Sequence, residues 1–319
     1  MPPAFSQITV ALSQHRPEVV RPAADLMARH DTIFLEEPPT PELERLLAGD
    51  LPVDDYVRQI DTEYPEFSRR MAHALMRLHD RGKRIVAVEP FLGHLIAIHD
   101  GFAAGASPAD LQPESERQRV YLAERDATTA LLAFYEAAVR GAFDQIIAAV
   151  KRFAREDARR FVMRDTLRAR ALAPLLRTGG SAYIEAGQMH YTLWRYLRRE
   201  LGTTGNVHLR FLMDVSGDPA GRRQHLYGPG DLLTLLYMFH PGSQDHREDL
   251  LAARSLIYNK IITPYEMPTH GTASPHADNE AAVLRRVRRL SLADCRHLYP
   301  LIHRQKTGPA RDTVDHYLA

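Results

Sequence analysis

Five short apolar runs restrict the fold of this chain more than any other feature. Ile8–Leu12, Thr32–Leu35, Arg84–Val88, Ala182–Ala186 and Val207–Met213 are each bounded by polar residues. Runs of this length, rich in β-branched residues, suit strands buried on both faces of a parallel sheet. Val207–Met213 alternates apolar and polar residues and reads as an edge strand. Helical stretches separate the runs. Pro17–His30 starts with a proline, which costs nothing in a first helical turn. From Tyr64 to Arg81, Phe67, Met71, Ala74, Leu75 and Leu78 share one helical face, and Gly82 stands where a helix C-terminus wants a glycine. Strand–helix alternation predicts an α/β fold, with a mostly parallel sheet flanked by helices.

The middle of the chain is helical. Apolar spacing runs from about Glu116 to Ala154, with a break expected near Gly141, and a second helix is expected from about Arg155 to Leu176. Later helices are expected over Asp231–Phe239, Arg247–Asn259, Asn279–Leu290 and Leu292–His303. The expected organisation is an α/β core over residues 1–240 with a helical insertion at about 105–177. A mainly helical extension over 241–319 packs on that core.

Composition narrows the function classes. Among 319 residues, Lys+Arg number 41 and Asp+Glu 40, a net charge of +1, so no global field draws in nucleic acid or an anionic membrane. No apolar run approaches the roughly 20 residues of a membrane span. Met1–Ser6 lacks the basic start and apolar core of a secretory signal. A soluble, cytoplasmic protein is expected, acting on a small molecule or peptide, with homo-oligomerisation left open. Cys295 is the only cysteine and reads as structural. Walker A, G-x-G-x-x-G and G-x-S-x-G motifs are absent. Val283–Leu290 is a basic amphipathic helix whose arginines read as a solvated face; a nucleic-acid contact is the rival reading.

In open α/β sheets, ligands bind beyond the carboxyl ends of the strands. Here the first strand runs into Ser13-Gln14-His15, the second into Glu36-Glu37, the third into Glu89-Pro90, the fourth into Gly187-Gln188-Met189-His190 and the fifth into Asp214. Two imidazoles and a carboxylate at one sheet edge suit a divalent metal (Zn, Mn, Fe or Co) with an open position for water. His15, Glu36 and His190 are the candidate ligands, with Glu37 as the alternative to Glu36. Glu89 is the spare carboxylate that activates or positions water. His94 and His99 follow the third strand and are candidates for the same cleft. A charged pair also interrupts the apolar stripe of the Arg155–Leu176 helix: Arg164 and Asp165, with Arg168 beside them. Either they form an ion pair, or Arg164 steadies an anionic group with Asp165 in support.

These motifs resemble the superfamily containing the TraB, Tiki, erythromycin-esterase and ChaN-like proteins. The resemblance rests on a His after the first strand, a Glu after the second, the Arg-Asp helix Met163–Leu172 and the strand Ala182–Ala186 leading to Gly-x-x-His at Gly187–His190. It covers roughly Ile8–Leu201. Leu12 stands where the family's first Gly-x-x-His motif has glycine, and Glu124-Arg125-Asp126 competes as the Arg-Asp motif. The resemblance implies an α/β core with its site at the strand ends and metal-dependent hydrolysis of a peptide or ester. The ChaN-like branch implies, as the alternative, a non-catalytic protein that binds haem or another small ligand.

Overall fold

The computed structural model describes residues 7–60, 62–177, 179–202, 206–212, 214–216, 223–244, 247–268 and 274–319. Met213, His246 and His270 lie outside them, as do the side chains of Asp214 and His225. The elements in order are β1 (Gln7–Ser13), α1 (Val20–Met27), β2 (Thr32–Leu35), α2 (Pro41–Ala48), α3 (Val53–Gln59), α4 (Pro65–Asp80), β3 (Arg84–Ala87) and α5 (Pro90–Ala103). Then come α6 (Glu116–Arg140), α7 (Phe143–Leu176), β4 (Ser181–Gly187), α8 (Tyr191–Leu201), β5 (Val207–Phe211), β6 (Asp214–Ser216) and β7 (Arg223–His225). The chain ends in α9 (Pro229–Phe239), α10 (Arg247–Ile261), α11 (Pro275–Arg289), α12 (Leu292–Ile302) and α13 (Thr307–Leu318). No described helix is long and apolar enough to cross a membrane.

The fold is α/β, as expected. β1 to β5 form one parallel sheet in the order β3-β2-β4-β1-β5, which puts β5 at an edge. Alternation along each strand divides the core into two layers. Ala11, Ile33, Leu35 and Tyr183 face Ala23, Leu43, Val57 and Leu75 of α1 to α4. Ile8, Val10, Leu12, Phe34 and Ile184 face Ala169 and Leu172 of α7 and Leu193 and Leu197 of α8. Fully burying each of these larger apolar side chains contributes about 1.5–3 kcal/mol.

Prolines shape the helix entries on the site side of the sheet. Pro41, Pro65 and Pro90 each occupy a first helical turn, where the missing N–H would have no partner anyway. Thr40 caps α2 by accepting the Leu43 N–H at 3.4 Å. Glu89 caps α5 by accepting that of Leu92 at 3.4 Å. α4 closes on Gly82 at φ +78, as its sequence predicts. The break near Gly141 is present, between α6 and α7. The break expected at 154/155 is not: α7 is continuous, because Ala154 and Ala158 are both buried and the apolar stripe runs on through them. α2, α3, α5 and α13 and the antiparallel β6–β7 pair were not anticipated.

The chain divides into two compact units, residues 1–121 with 161–213 and residues 122–160 with 214–319. The first holds the five-stranded sheet. The expected insertion at about 105–177 is thus shared between the units, and the helical C-terminal region begins before residue 241. Within the second unit, Glu248 is buried and bonded by Arg155 at 2.9 Å and the Tyr237 hydroxyl at 2.7 Å. On the basic helix α11, Arg286 pairs with Asp315 at 2.5 Å, while Val283 and Val287 are buried. Burial pushes the Cys295 thiol up to about 12.

Candidate functional site

Everything at the site follows from the end of β2. Leu35 points toward the α1–α4 layer and Phe34 toward α7 and α8. The alternation continues into Glu36 and Glu37, so the two adjacent carboxylates enter different surroundings.

Glu36 enters a closed cluster. Its Oε1 is 2.7 Å from His190 Nε2 and 3.3 Å from Arg164 Nη2. Its Oε2 accepts the Gly187 N–H at 2.5 Å and is 3.7 Å from Arg168 Nη1. His190 Nδ1 bonds Asp165 at 2.5 Å, and the Thr192 hydroxyl donates to the other Asp165 oxygen. Phe161 packs edge-on against the imidazole, with ring centroids 5.1 Å apart. Arg168 is fully buried; its Nε donates to the Val88 carbonyl at 2.8 Å, and neither terminal nitrogen is hydrogen-bonded among the described residues. Glu89 lies 3.7 Å from Arg164 and 4.0 Å from Arg168.

Burial alone would push the Glu36 carboxyl up, but the charges of His190, Arg168 and Arg164 hold it well below the usual range. Burial alone would likewise lower His190, but Glu36 and Asp165 raise it to about 9. Glu36, Glu89 and Asp165 thus face Arg164, Arg168 and His190, three acidic side chains against three basic ones. The cluster neutralises itself, as buried ions must.

Glu37 enters an open cavity of about 780 Å³ at the carboxyl ends of β1, β2 and β4. His15, Glu36, Glu37 and Glu185 line its polar end, and Tyr56, Tyr64, Phe67 and Met71 form apolar walls. His15 is exposed and stacks on Phe67, with centroids 5.0 Å apart. The Tyr56 hydroxyl donates to Glu37 at 3.3 Å. Glu185 is 7% exposed, and its Oε2 accepts the Glu36 N–H at 3.3 Å. Burial and the charges of Glu185 and Glu36 push the Glu37 carboxyl up to about 7. Burial and Glu36 also raise Glu185, opposed by His15. Groups shifted this way in a concave site are candidates for acid–base work.

Of the residues singled out in the sequence, the structure joins Glu36, His190, Arg164, Asp165 and Glu89 in the closed cluster and sets His15 with Glu37 in the cavity. Glu89 caps α5 and does not line the cavity. His94 bonds Glu116 at 2.9 Å, and neither it nor His99 lines the cavity. Glu185, Tyr56 and Thr192 were missed. Glu185 carried a readable signal, since a lone carboxylate inside the apolar strand Ala182–Ala186 needs a polar destination.

A metal held by His15, Glu36 and His190 does not fit this arrangement. Glu36 and His190 spend their facing atoms on each other, His190 Nδ1 is already bonded to Asp165, and two guanidiniums adjoin the Glu36 carboxylate. Among the described residues, no three His, Cys, Asp or Glu side chains are grouped to hold an ion.

No family model and no solved structure matches the chain. It is 30% identical over 273 residues to an uncharacterised protein of Archaeoglobus fulgidus, covering 85% of this chain and 90% of the archaeal one. Identity at that level over nearly the full length of both proteins shows that this chain and the Archaeoglobus fulgidus protein belong to one family.

Proposed function

We propose that the chain is a hydrolase of ester or amide bonds that works in the cavity at the strand ends. One observation carries this reading: an imidazole and carboxylates converge on the polar end of an apolar-walled cavity. In this mechanism Glu37 takes a proton from water, which adds to the substrate carbonyl. The bond to the leaving group breaks as that group receives a proton from His15. A carboxyl poised near neutral pH is well matched to the first step. The closed Glu36–His190–Asp165 cluster acts as a positioning frame, fixing the backbone from which Glu37 and Glu185 project. The order of motifs along the chain, which resembles the TraB, Tiki and erythromycin-esterase proteins, supports the hydrolytic reading. The self-neutralised state of the Glu36 cluster favours acid–base chemistry over metal dependence. Haem is disfavoured too, because a cavity lined by four glutamates repels its propionates.

The test is hydrolysis of an ester panel by the purified protein. Glu37→Gln is expected to lower kcat by about 10²–10⁴-fold. In the wild type, the rate is expected to fall as pH drops below about 7, where Glu37 gains a proton and ceases to act as base. A chelator is expected to leave the rate unchanged. Stoichiometric metal in the purified protein, lost together with activity in His190→Ala, would overturn the metal-independent mechanism. Full activity in both Glu37→Gln and His15→Ala would sink the assignment of the site.

A further inference from the structure

The lining of the cavity is one-sided in charge. Glu36, Glu37, Glu42 and Glu185 all contribute to it, with the imidazole of His15 and no lysine or arginine. Glu36 is neutralised from behind by Arg164, Arg168 and His190. Glu37 and Glu185 are not: neither forms an ion pair with a lysine or arginine among the described residues, and Glu185 stands close enough to raise Glu37. Glu185 is more than nine-tenths buried, and only one of its oxygens is engaged, by the Glu36 N–H. Its Oε1 accepts no hydrogen bond among the described residues. Burying a carboxylate this way costs free energy unless a cation or donor meets it.

The rest of the lining includes aromatic rings. Tyr56, Tyr64 and Phe67 line the same space. Tyr64 already receives one cation on its ring: the Arg16 guanidinium, which is not part of the lining, lies 4.7 Å from the ring centroid. Carboxylates and aromatic faces lining one cavity form the pairing that selects an ammonium group over its neutral isostere.

We propose that the cavity takes a substrate bearing a protonated amine, held by Glu185 beside the aromatic side chains of Tyr56, Tyr64 and Phe67, with Glu37 left to the attacking water. Neutral esters of the same shape bind more weakly, and anionic ones are excluded. The word substrate rests on the hydrolytic reading above; the charge selectivity does not.

Two measurements separate these claims. Titration calorimetry of the full chain with benzylamine, benzyl alcohol and benzoate compares one ring carrying positive, zero and negative charge. Benzylamine is expected to bind about tenfold tighter than benzyl alcohol, with benzoate weakest. Glu185→Gln is expected to narrow the first gap to about twofold while leaving benzyl alcohol unchanged. Equal affinity for amine and alcohol, or tightest binding of benzoate, overturns the proposal, and the wild-type series decides this even if the variant does not fold. The second measurement is hydrolysis of glycine phenyl ester beside phenyl acetate. Amine preference with neither ester cleaved leaves the charge selectivity standing and removes the hydrolase. Cleavage of both esters at equal kcat/KM, without amine preference in binding, removes the selectivity and leaves the hydrolase.

Discussion

Glu36 and Glu37 are neighbours in the chain and opposites in environment. One faces an imidazolium and two guanidiniums, the other a second carboxylate and a tyrosine hydroxyl. The same residue type is held strongly acidic in the first place and brought near neutrality in the second. A single β-strand step is enough to make that difference. It gives the molecule one strongly acidic carboxyl and one brought near neutrality without any change of side chain. The lesson is that electrostatic surroundings, and not residue identity, assign the role at a strand end.

The sharpest way to break this comparison is to remove a cation from the closed side. Arg168→Met leaves Glu36 and Glu89 with one guanidinium fewer in a fully buried place. It is expected to cost about 3–5 kcal/mol in denaturant unfolding, because the remaining charge is uncompensated. A loss below about 1 kcal/mol would mean that the cluster is solvated in solution and not closed.

The pH dependence of unfolding comes next in size. His190 is raised from 6.5 to about 9, so its contribution is complete below pH 6.5 and is lost as pH rises through about 9. Glu36 is lowered, so its contribution is present above pH 4.5 and is lost as pH falls through its depressed folded value. Glu37 is raised from 4.5 to about 7, so protonation favours the folded state, and that contribution is lost as pH rises from 4.5 through about 7. Glu37→Gln is expected to flatten the pH 4.5–7 segment and leave the two Glu36 and His190 windows intact. A curve unchanged by this substitution would show that Glu37 titrates normally.

Smaller still is Thr192→Val, which deletes one donor to Asp165. A cost of about 1–3 kcal/mol is expected for leaving that carboxylate oxygen without its partner. Glu37→Gln at pH 7 should be nearly neutral or slightly stabilising, since it removes a repelled charge from beside Glu185. If it destabilised the protein as much as Thr192→Val does, the contrast between the two glutamates would fail.

Much of this architecture was legible before any coordinates. β1, β2 and β4 were readable because burial on both faces leaves nothing but short apolar runs, as in Ile33-Phe34-Leu35, and the edge strand β5 because it alternates. His190 and Glu36 were readable because they follow strand ends, and Arg164 and Asp165 because charged groups inside an apolar stripe must be paired somewhere. Their partnership was not readable, since it spans 128 residues between Glu36 and Arg164 and depends on strand order. The surroundings of Glu37 were not readable: it stood only as the alternative to Glu36, yet both line the cavity. Glu185 was hidden inside a strand that otherwise fits the buried pattern. α2 and α5 were masked by prolines, which break helices in their interiors but begin them at Pro41 and Pro90.

Strand order has a consequence for how this protein is made. β4 occupies the slot between β2 and β1, although it is synthesised after β3 and roughly a hundred further residues. A growing chain that has released only its first three strands holds β1 apart from the β2–β3 pair, with a vacancy between them that shows unpaired backbone on both sides. Such open edges are where chains stick to one another. The cavity and the charge cluster both wait for that vacancy to be filled, since Glu185 and His190 arrive with the strand that fills it. Assembly of the sheet and assembly of the site are thus one late, long-range event.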